Sequence, residues 1–193
     1  MALSTVTLPS GFLLPSIHAA PPFFTQQPNA TTQASATGHW KRLILAFARF
    51  HKLYTLSLAD LEDTKSPWAN VLRNERINRR LLPPYLSAIL QDMNTSNQAT
   101  FEPPTQKTSV LLYWNTPEQW ADILYDWGVS TGQLNTILTF YEITEPALES
   151  ALSGIPVVLL KKAIVLLQKN GRAQVISVAD GEGVKLLPQT SVP

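Results

Sequence analysis

Two halves of this 193-residue chain repeat one another. Leu86, Ile89, Leu90 and Met93 recur 74 positions later as Leu160, Ala163, Ile164 and Leu167, and Val110 and Leu112 recur at the same interval as Val184 and Leu186. Upstream, Trp40, Leu43, Ile44 and Phe47 share the offsets 0, 3, 4 and 7 with Trp120, Ile123, Leu124 and Trp127. Three-four spacing lines four side chains along one side of a helix, whereas the alternating stretches 109–114 and 183–187 have the period of strands. Pro84 and Pro156 stand near the start of the two later helices, where a missing N–H has no intrahelical partner to lose. Each half thus reads as helix, short helix, helix, strand and strand, which is the element order of a winged helix. The fold class expected is α+β, mainly helical, with two tandem winged-helix domains.

Ahead of the repeats, residues 1–36 hold five prolines and no Asp, Glu, Lys or Arg. This stretch reads as a flexible arm, and the first Trp-led helix is expected over 39–54. Its apolar run Gly11–Pro15 lacks the basic flank of a signal peptide. The domains expected are the arm at 1–36, a first winged helix at 37–116, a second at 117–187, and a tail at 188–193. Asp180-Gly181 is placed at the turn of the second hairpin, since such a dipeptide readily adopts positive φ. Trp40, Trp120 and Trp127 read as core or interdomain anchors, with Trp68 and Trp114 left open.

The residues offer little chemistry. The chain has no Cys and three His, of which His39 and His51 lie twelve apart on one helix and about 18 Å apart along its axis at 1.5 Å per residue. Walker, dinucleotide-binding, HExxH and nucleophile-elbow patterns are missing, and Asp122 with Asp126 is an ordinary exposed pair on an amphipathic helix. No enzyme activity, metal or cofactor is expected. Charged residues make up only 15% of the chain, and the net charge is +1. The charge is unevenly divided, with ten basic and six acidic residues up to 116 against five and eight beyond it. A winged helix raises DNA binding, which needs Lys or Arg at the phosphates. The first third helix, Pro83 to Asn94, carries neither, and a nucleic-acid-binding protein is therefore kept only as the alternative. Lys161, Lys162 and Lys169 of the second read as a solvated face. Arg73, Arg76, Arg79 and Arg80 suit carboxylates of a protein partner, because a guanidinium makes bidentate contacts. Pro21-Pro22-Phe23-Phe24 presents two aromatics from a stiffened backbone and has the character of a docking plug.

The ordered string Pro21-Pro22-Phe23-Phe24-Thr25, Gln27-Pro28-Asn29, Phe50-His51-Lys52, Ser66-Pro67, Tyr113-Trp114, Pro117-Glu118 and Trp120 resembles one family. Gly132-Gln133, Asn135, Thr139, Tyr141-Glu142-Ile143, Ile176-Ser177-Val178, Asp180-Gly181 and Gly183-Val184-Lys185 continue it, over about residues 21–187. The family is that of vacuolar protein sorting-associated protein 25, the small subunit of the ESCRT-II endosomal sorting complex. The resemblance implies tandem winged helices, two copies per complex, each docked on one of two larger subunits, and a non-enzymatic adaptor role in multivesicular body sorting. It implies that Pro21, Pro22, Phe23 and Phe24 enter a hydrophobic groove of a larger subunit, although Ala20 stands where the family often has an aromatic. Arg79, in Ile77-Asn78-Arg79, is implied to meet the same partner, with Arg80 the adjacent choice. For the second domain it implies recruitment of the ESCRT-III initiating subunit through Thr139, Phe140, Tyr141 and Glu142. A cytoplasmic protein recruited to the endosomal membrane, touching it indirectly through the complex, completes the expectation.

Overall fold

The computed structural model describes residues 4–178 and 181–188. It is an α+β chain that divides into two compact units, Met1–Trp114 and Asn115–Pro193.

The first unit is organised around α1 (Ala30–His51). Asn29 starts this helix by accepting the Thr32 N–H on its side chain, and Lys52 ends it in the left-handed region, its N–H returning to the Ala48 and Arg49 carbonyls. Ala36, Trp40, Leu43, Ile44, Phe47 and Ala48 form the buried stripe. The helix begins nine residues before the expected position, because its first two turns are polar and capped, without the apolar periodicity that marks the rest.

Residues ahead of α1 pack as well. Strands β1 (Val6–Thr7) and β2 (Leu13–Leu14) form a small antiparallel ladder. Two 3-10 turns follow at Ser16–Ala19 and Pro21–Phe24. Phe12, Leu14, His18, Phe23 and Phe24 are all buried. The flexible arm expected at 1–36 is therefore corrected: its described part is a folded cover on α1, with the Phe12 ring edge-on to Phe47 at 5.1 Å.

After α1 come β3 (Thr55–Ser57), the short α2 (Ala69–Leu72), a two-stranded ladder of β4 (Arg73–Asn74) and β5 (Arg79–Arg80), and α3 (Pro83–Thr95). Strands β6 (Ala99–Phe101) and β7 (Ser109–Leu112) close the unit in a three-stranded antiparallel sheet of order β3-β7-β6. Tyr85, Leu86, Ile89, Leu90 and Met93 of α3 join the stripe of α1 in one core. Lys41 on α1 is paired with Asp92 on α3 at 2.6 Å. Trp68 is buried and donates to the Thr55 carbonyl at 3.0 Å, while half-buried Trp114 donates to Leu53 at 2.8 Å. Both tie loops to the sheet.

The second unit repeats the plan with α4 (Pro117–Ser130), β8 (Ile137–Thr139), α5 (Phe140–Thr144), α6 (Val157–Lys169), β9 (Ala173–Val178) and β10 (Gly181–Leu186). Its sheet order, β8-β10-β9, is the order of the first unit carried over strand for strand. Thr116 caps α4 in a reciprocal box with Gln119, and Pro117 occupies the first turn. Trp120 is buried, whereas Trp127 is only partly so. Gly128 gives the room in which Leu186 of β10 lies against α4, since a Cβ there would collide with its Cδ1. Asp180, expected in the hairpin turn, lies outside the described residues.

The Phe23 ring is the clearest test of the folded cover, because it is 3% exposed and lies flat on Trp40. Phe23→Ala is expected to destabilise the first unit by about 3–5 kcal/mol, read as a lower urea midpoint in the transition of the full chain.

Candidate partner-docking surfaces

Around the proline-aromatic turn the two kinds of side chain part company. Pro21 and Pro22 are exposed, while Phe23 and Phe24 are buried. The Phe23 ring stacks on the Trp40 indole at 4.2 Å and 3°, and Phe24 meets the same indole edge-on at 5.5 Å. Trp40 also donates its Nε1–H to the Phe23 carbonyl at 2.9 Å, so backbone and ring are held by one residue. Gln27 fixes the outer side by donating to the Pro22 and Thr25 carbonyls, both at 2.8 Å. In the chain alone, the two phenylalanines expected to enter a partner's groove lie in its own core, and the prolines are the outward part of the motif.

Strand β5 packs beside this turn, so the segment bearing Arg79 and Arg80 comes next to the one bearing the prolines although nearly sixty residues separate them in sequence. Both arginines are exposed. Arg80 reaches Glu62 at 3.4 Å, and Arg79 donates to the neighbouring Asn78 carbonyl at 3.2 Å. Asn78 takes φ 50 as the left-handed end of the turn joining β4 to β5. That turn sets the direction in which Arg79 leaves the fold. An open cavity of about 520 Å³ in this unit has a mixed wall, with His18, Arg73, Glu75 and Arg76 among apolar residues such as Leu14 and Ile77.

His18 is a residue that sequence reasoning missed, since nothing in its neighbours marks it as buried. It is 2% exposed. Its Nε2 lies 2.8 Å from the Val71 carbonyl, which makes Nε2 the protonated nitrogen, and Nδ1 then accepts from Asn74 Nδ2 at 3.3 Å. Asn74 donates also to the His18 carbonyl at 2.8 Å. Through these bonds the histidine joins the segment before the prolines to the ladder that carries Arg79. Burial pushes its pKa below the ordinary 6.5, and the Val71 bond offsets this only in part.

In the second unit, the four residues expected to meet a partner serve different ends. Thr139 is the N-cap of α5: its Oγ1 accepts the Glu142 N–H at 3.2 Å, while the Glu142 carboxylate accepts the Thr139 N–H at 2.7 Å and its hydroxyl at 2.8 Å. The Thr139 N–H, and then its hydroxyl, hold the Glu142 carboxyl below the usual carboxylate range. Thr139 and Glu142 are therefore engaged with each other as a capping box. Phe140 is half-buried, with Lys161 Nζ 5.3 Å from its ring centre, and Tyr141 stands out at 73% exposed. Among the described residues, no group of three or more His, Cys, Asp or Glu is arranged to hold a metal ion.

The His18 bonds make stability depend on pH. With the folded pKa below the unfolded one, the unfolded chain takes up the proton first, so the contribution is complete above about pH 6.5 and is lost as pH falls toward the folded value. His18→Gln keeps a donor for Val71 without the titration. Its urea midpoint is expected to fall less than that of the parent chain between pH 7.5 and pH 5.5.

Residues 17–154 match the model of a family described as ESCRT-II complex subunit. Vacuolar protein-sorting-associated protein 25 of Rattus norvegicus is 33% identical over 167 residues, covering 86% of this chain and 92% of the relative. Among solved structures, subunit VPS25 of the endosomal trafficking complex ESCRT-II superposes with a TM-score of 0.78 at 23% identity, over 90% of this chain and 98% of that one. A chain from the crystal structure of the endosomal complex ESCRT-II (VPS22/VPS25/VPS36) gives 0.76 at 21% identity, over 93% and 100%. With the family match running through the proline-aromatic turn, both arginines and the α5 cap, the chain belongs to the ESCRT-II complex subunit family, alongside vacuolar protein-sorting-associated protein 25.

Proposed function

We propose that this chain is a non-enzymatic adaptor subunit of an ESCRT-II endosomal sorting complex. On this reading the two units are tandem winged-helix domains at 37–116 and 117–187, preceded by a segment that is folded back instead of free. The first docks on a larger subunit, the counterpart of VPS22 or VPS36 in the solved complex, with two copies of this chain per assembly. The second recruits the ESCRT-III initiating subunit and helps nucleate its filament. Two copies at fixed separation multiply the avidity of that recruitment without stronger single contacts.

One observation supports the docking half: Pro21, Pro22 and Arg79 are all exposed, and the turn and strand that carry them pack together although they are far apart in sequence. Proline presents apolar surface with little conformational entropy to lose, and a guanidinium beside it selects a carboxylate. The recruiting half is supported by Tyr141, a large side chain left in solvent next to a rigid cap. An α3 with one Asp and no Lys or Arg speaks against duplex DNA as a ligand. Among the described residues no helix is long and apolar enough to cross a membrane. The proposal is a cytoplasmic protein brought to the endosomal membrane by its complex, using no cofactor of its own.

Co-expression with the two larger subunits, followed by size exclusion with light scattering, tests this directly. The parent chain is expected to give a complex with two copies, Arg79→Glu to fall out of it, and Pro21→Ala with Pro22→Ala to weaken it. Tyr141→Ala should leave the complex intact while lowering affinity for the ESCRT-III initiating subunit at least tenfold. Association that survives Arg79→Glu unchanged removes the docking face from the mechanism. Changes at Phe23, Phe24, Thr139 or Glu142 are poor probes here, because each of those side chains holds its own unit together.

A further inference from the structure

The two units end their sheets on equivalent strands, β6 in the order β3-β7-β6 and β9 in the order β8-β10-β9, but the two edges differ. Strand β6 is three residues long and stops at Glu102, Pro103 and Pro104, and the Gln106 side chain closes its end by donating to the Glu102 and Ser109 carbonyls at 2.8 and 2.7 Å. Shortness, charge and proline are the devices that keep a sheet edge from pairing with another chain. Strand β9 has none of them, since its six residues read Ala-Gln-Val-Ile-Ser-Val. Arg172, just ahead of it, is set over the Tyr125 ring at 5.1 Å. Among the described residues no strand pairs with the outer side of β9. Its register shows which backbone groups are left there. Leu187 donates to the Arg172 carbonyl at 2.8 Å, and Ala173, Gln174 and Val175 then stand opposite Leu186, Lys185 and Val184. Hydrogen-bonded and non-bonded pairs alternate along an antiparallel ladder. Gln174 and Ile176 therefore bond to β10, whereas the N–H and C=O groups of Ala173, Val175 and Ser177 point out from the edge.

We infer that β9 pairs antiparallel with β9 of a second copy of this chain, joining two three-stranded sheets into one across a two-fold axis at Val175. With the axis there, Val175 faces its own symmetry mate and Ala173 faces Ser177 of the second copy, so each outward N–H meets an outward carbonyl. No other position of the axis engages all three residues within the strand. A second copy is the occupant because the edge is its own complement, and a symmetric contact closes at two chains. The side chains agree with the register: Val175 comes opposite Val175 and Gln174 opposite Ile176, so no like charges meet across the axis. Val175 and Ile176 are half-buried, and the mate covers what the unit itself leaves open. A short, uncharged segment rich in β-branched residues is also the composition in which identical strands pair most readily. This pairing belongs to the second unit alone and is independent of the ESCRT-II reading.

Sedimentation velocity of the full chain over a concentration series tests the pairing. The parent chain is expected to pass from monomer to dimer as concentration rises and to stop there. Ser177→Pro removes an outward N–H that β10 does not use, and it is expected to weaken the dimer at least tenfold. Gln174→Lys with Ile176→Lys sets like charges directly opposite across the axis, whereas Gln174→Lys with Ile176→Glu sets opposite ones. The first double variant is expected to dimerise at least tenfold more weakly than the second, a difference that a merely destabilised hairpin does not produce. The comparison of the two double variants decides the matter where Ser177→Pro also lowers the urea midpoint. A chain that stays monomeric throughout, or a dimer to which both double variants contribute equally, overturns the inference. Assemblies that grow past the dimer overturn it as well, since they show β9 joined to a different edge of the next copy.

Discussion

The stack of Phe23 on Trp40 is the contact on which the first unit turns. Trp40 lies fully buried at the centre of the α1 stripe, and it takes two aromatic rings and a backbone carbonyl from a segment seventeen residues earlier. Burying a phenylalanine contributes roughly 1.5–3 kcal/mol, and a well-placed aromatic pair adds about 0.5–1.5 more. The indole bond satisfies a donor that would otherwise be sealed without a partner. A segment of low charge and many prolines is thereby kept ordered, with less backbone entropy to lose than most sequences of its length.

That contact decides which side of the motif faces solvent. Because the rings point inward, the prolines must point outward, and the turn that presents them lies beside the ladder bearing Arg79. His18 and Asn74 fasten the two together through a buried set of hydrogen bonds. The proposed docking face is then a composite of residues from distant parts of the chain, held in place by the fold itself. A preformed face loses less entropy on binding than a free arm would.

Much of the fold was legible in the periodicity. The stripe Trp40, Leu43, Ile44, Phe47 has a helical period whatever surrounds it, and Pro84 and Pro156 mark starts through the chemistry of a missing N–H. The duplicated element order showed in the 74-residue shift, and the sheets bear it out with matching strand order. The early start of α1 was harder to see, because Thr31, Thr32, Gln33 and Ser35 face solvent for the most part and carry no period. Thr139 and Glu142 were legible as a site only through likeness to a family. Their spacing is equally that of a capping box, and the hydrogen bonds show that reading to hold in this chain.

The linear order of residues was enough to determine the helices, the strands and the duplication, since each of these rests on contacts between neighbours three, four or two positions apart. It was also enough to identify the proline-aromatic motif and the arginine run as uncommon features in a chain with few charges. Which way Phe23 and Phe24 face, whether the described residues before Asn29 are free, and that the strand bearing Arg79 and Arg80 packs beside the proline turn were decided only by tertiary structure. Those outcomes depend on long-range packing against Trp40 and on the bond from His18 to Val71, and no local period encodes a contact made across fifty residues.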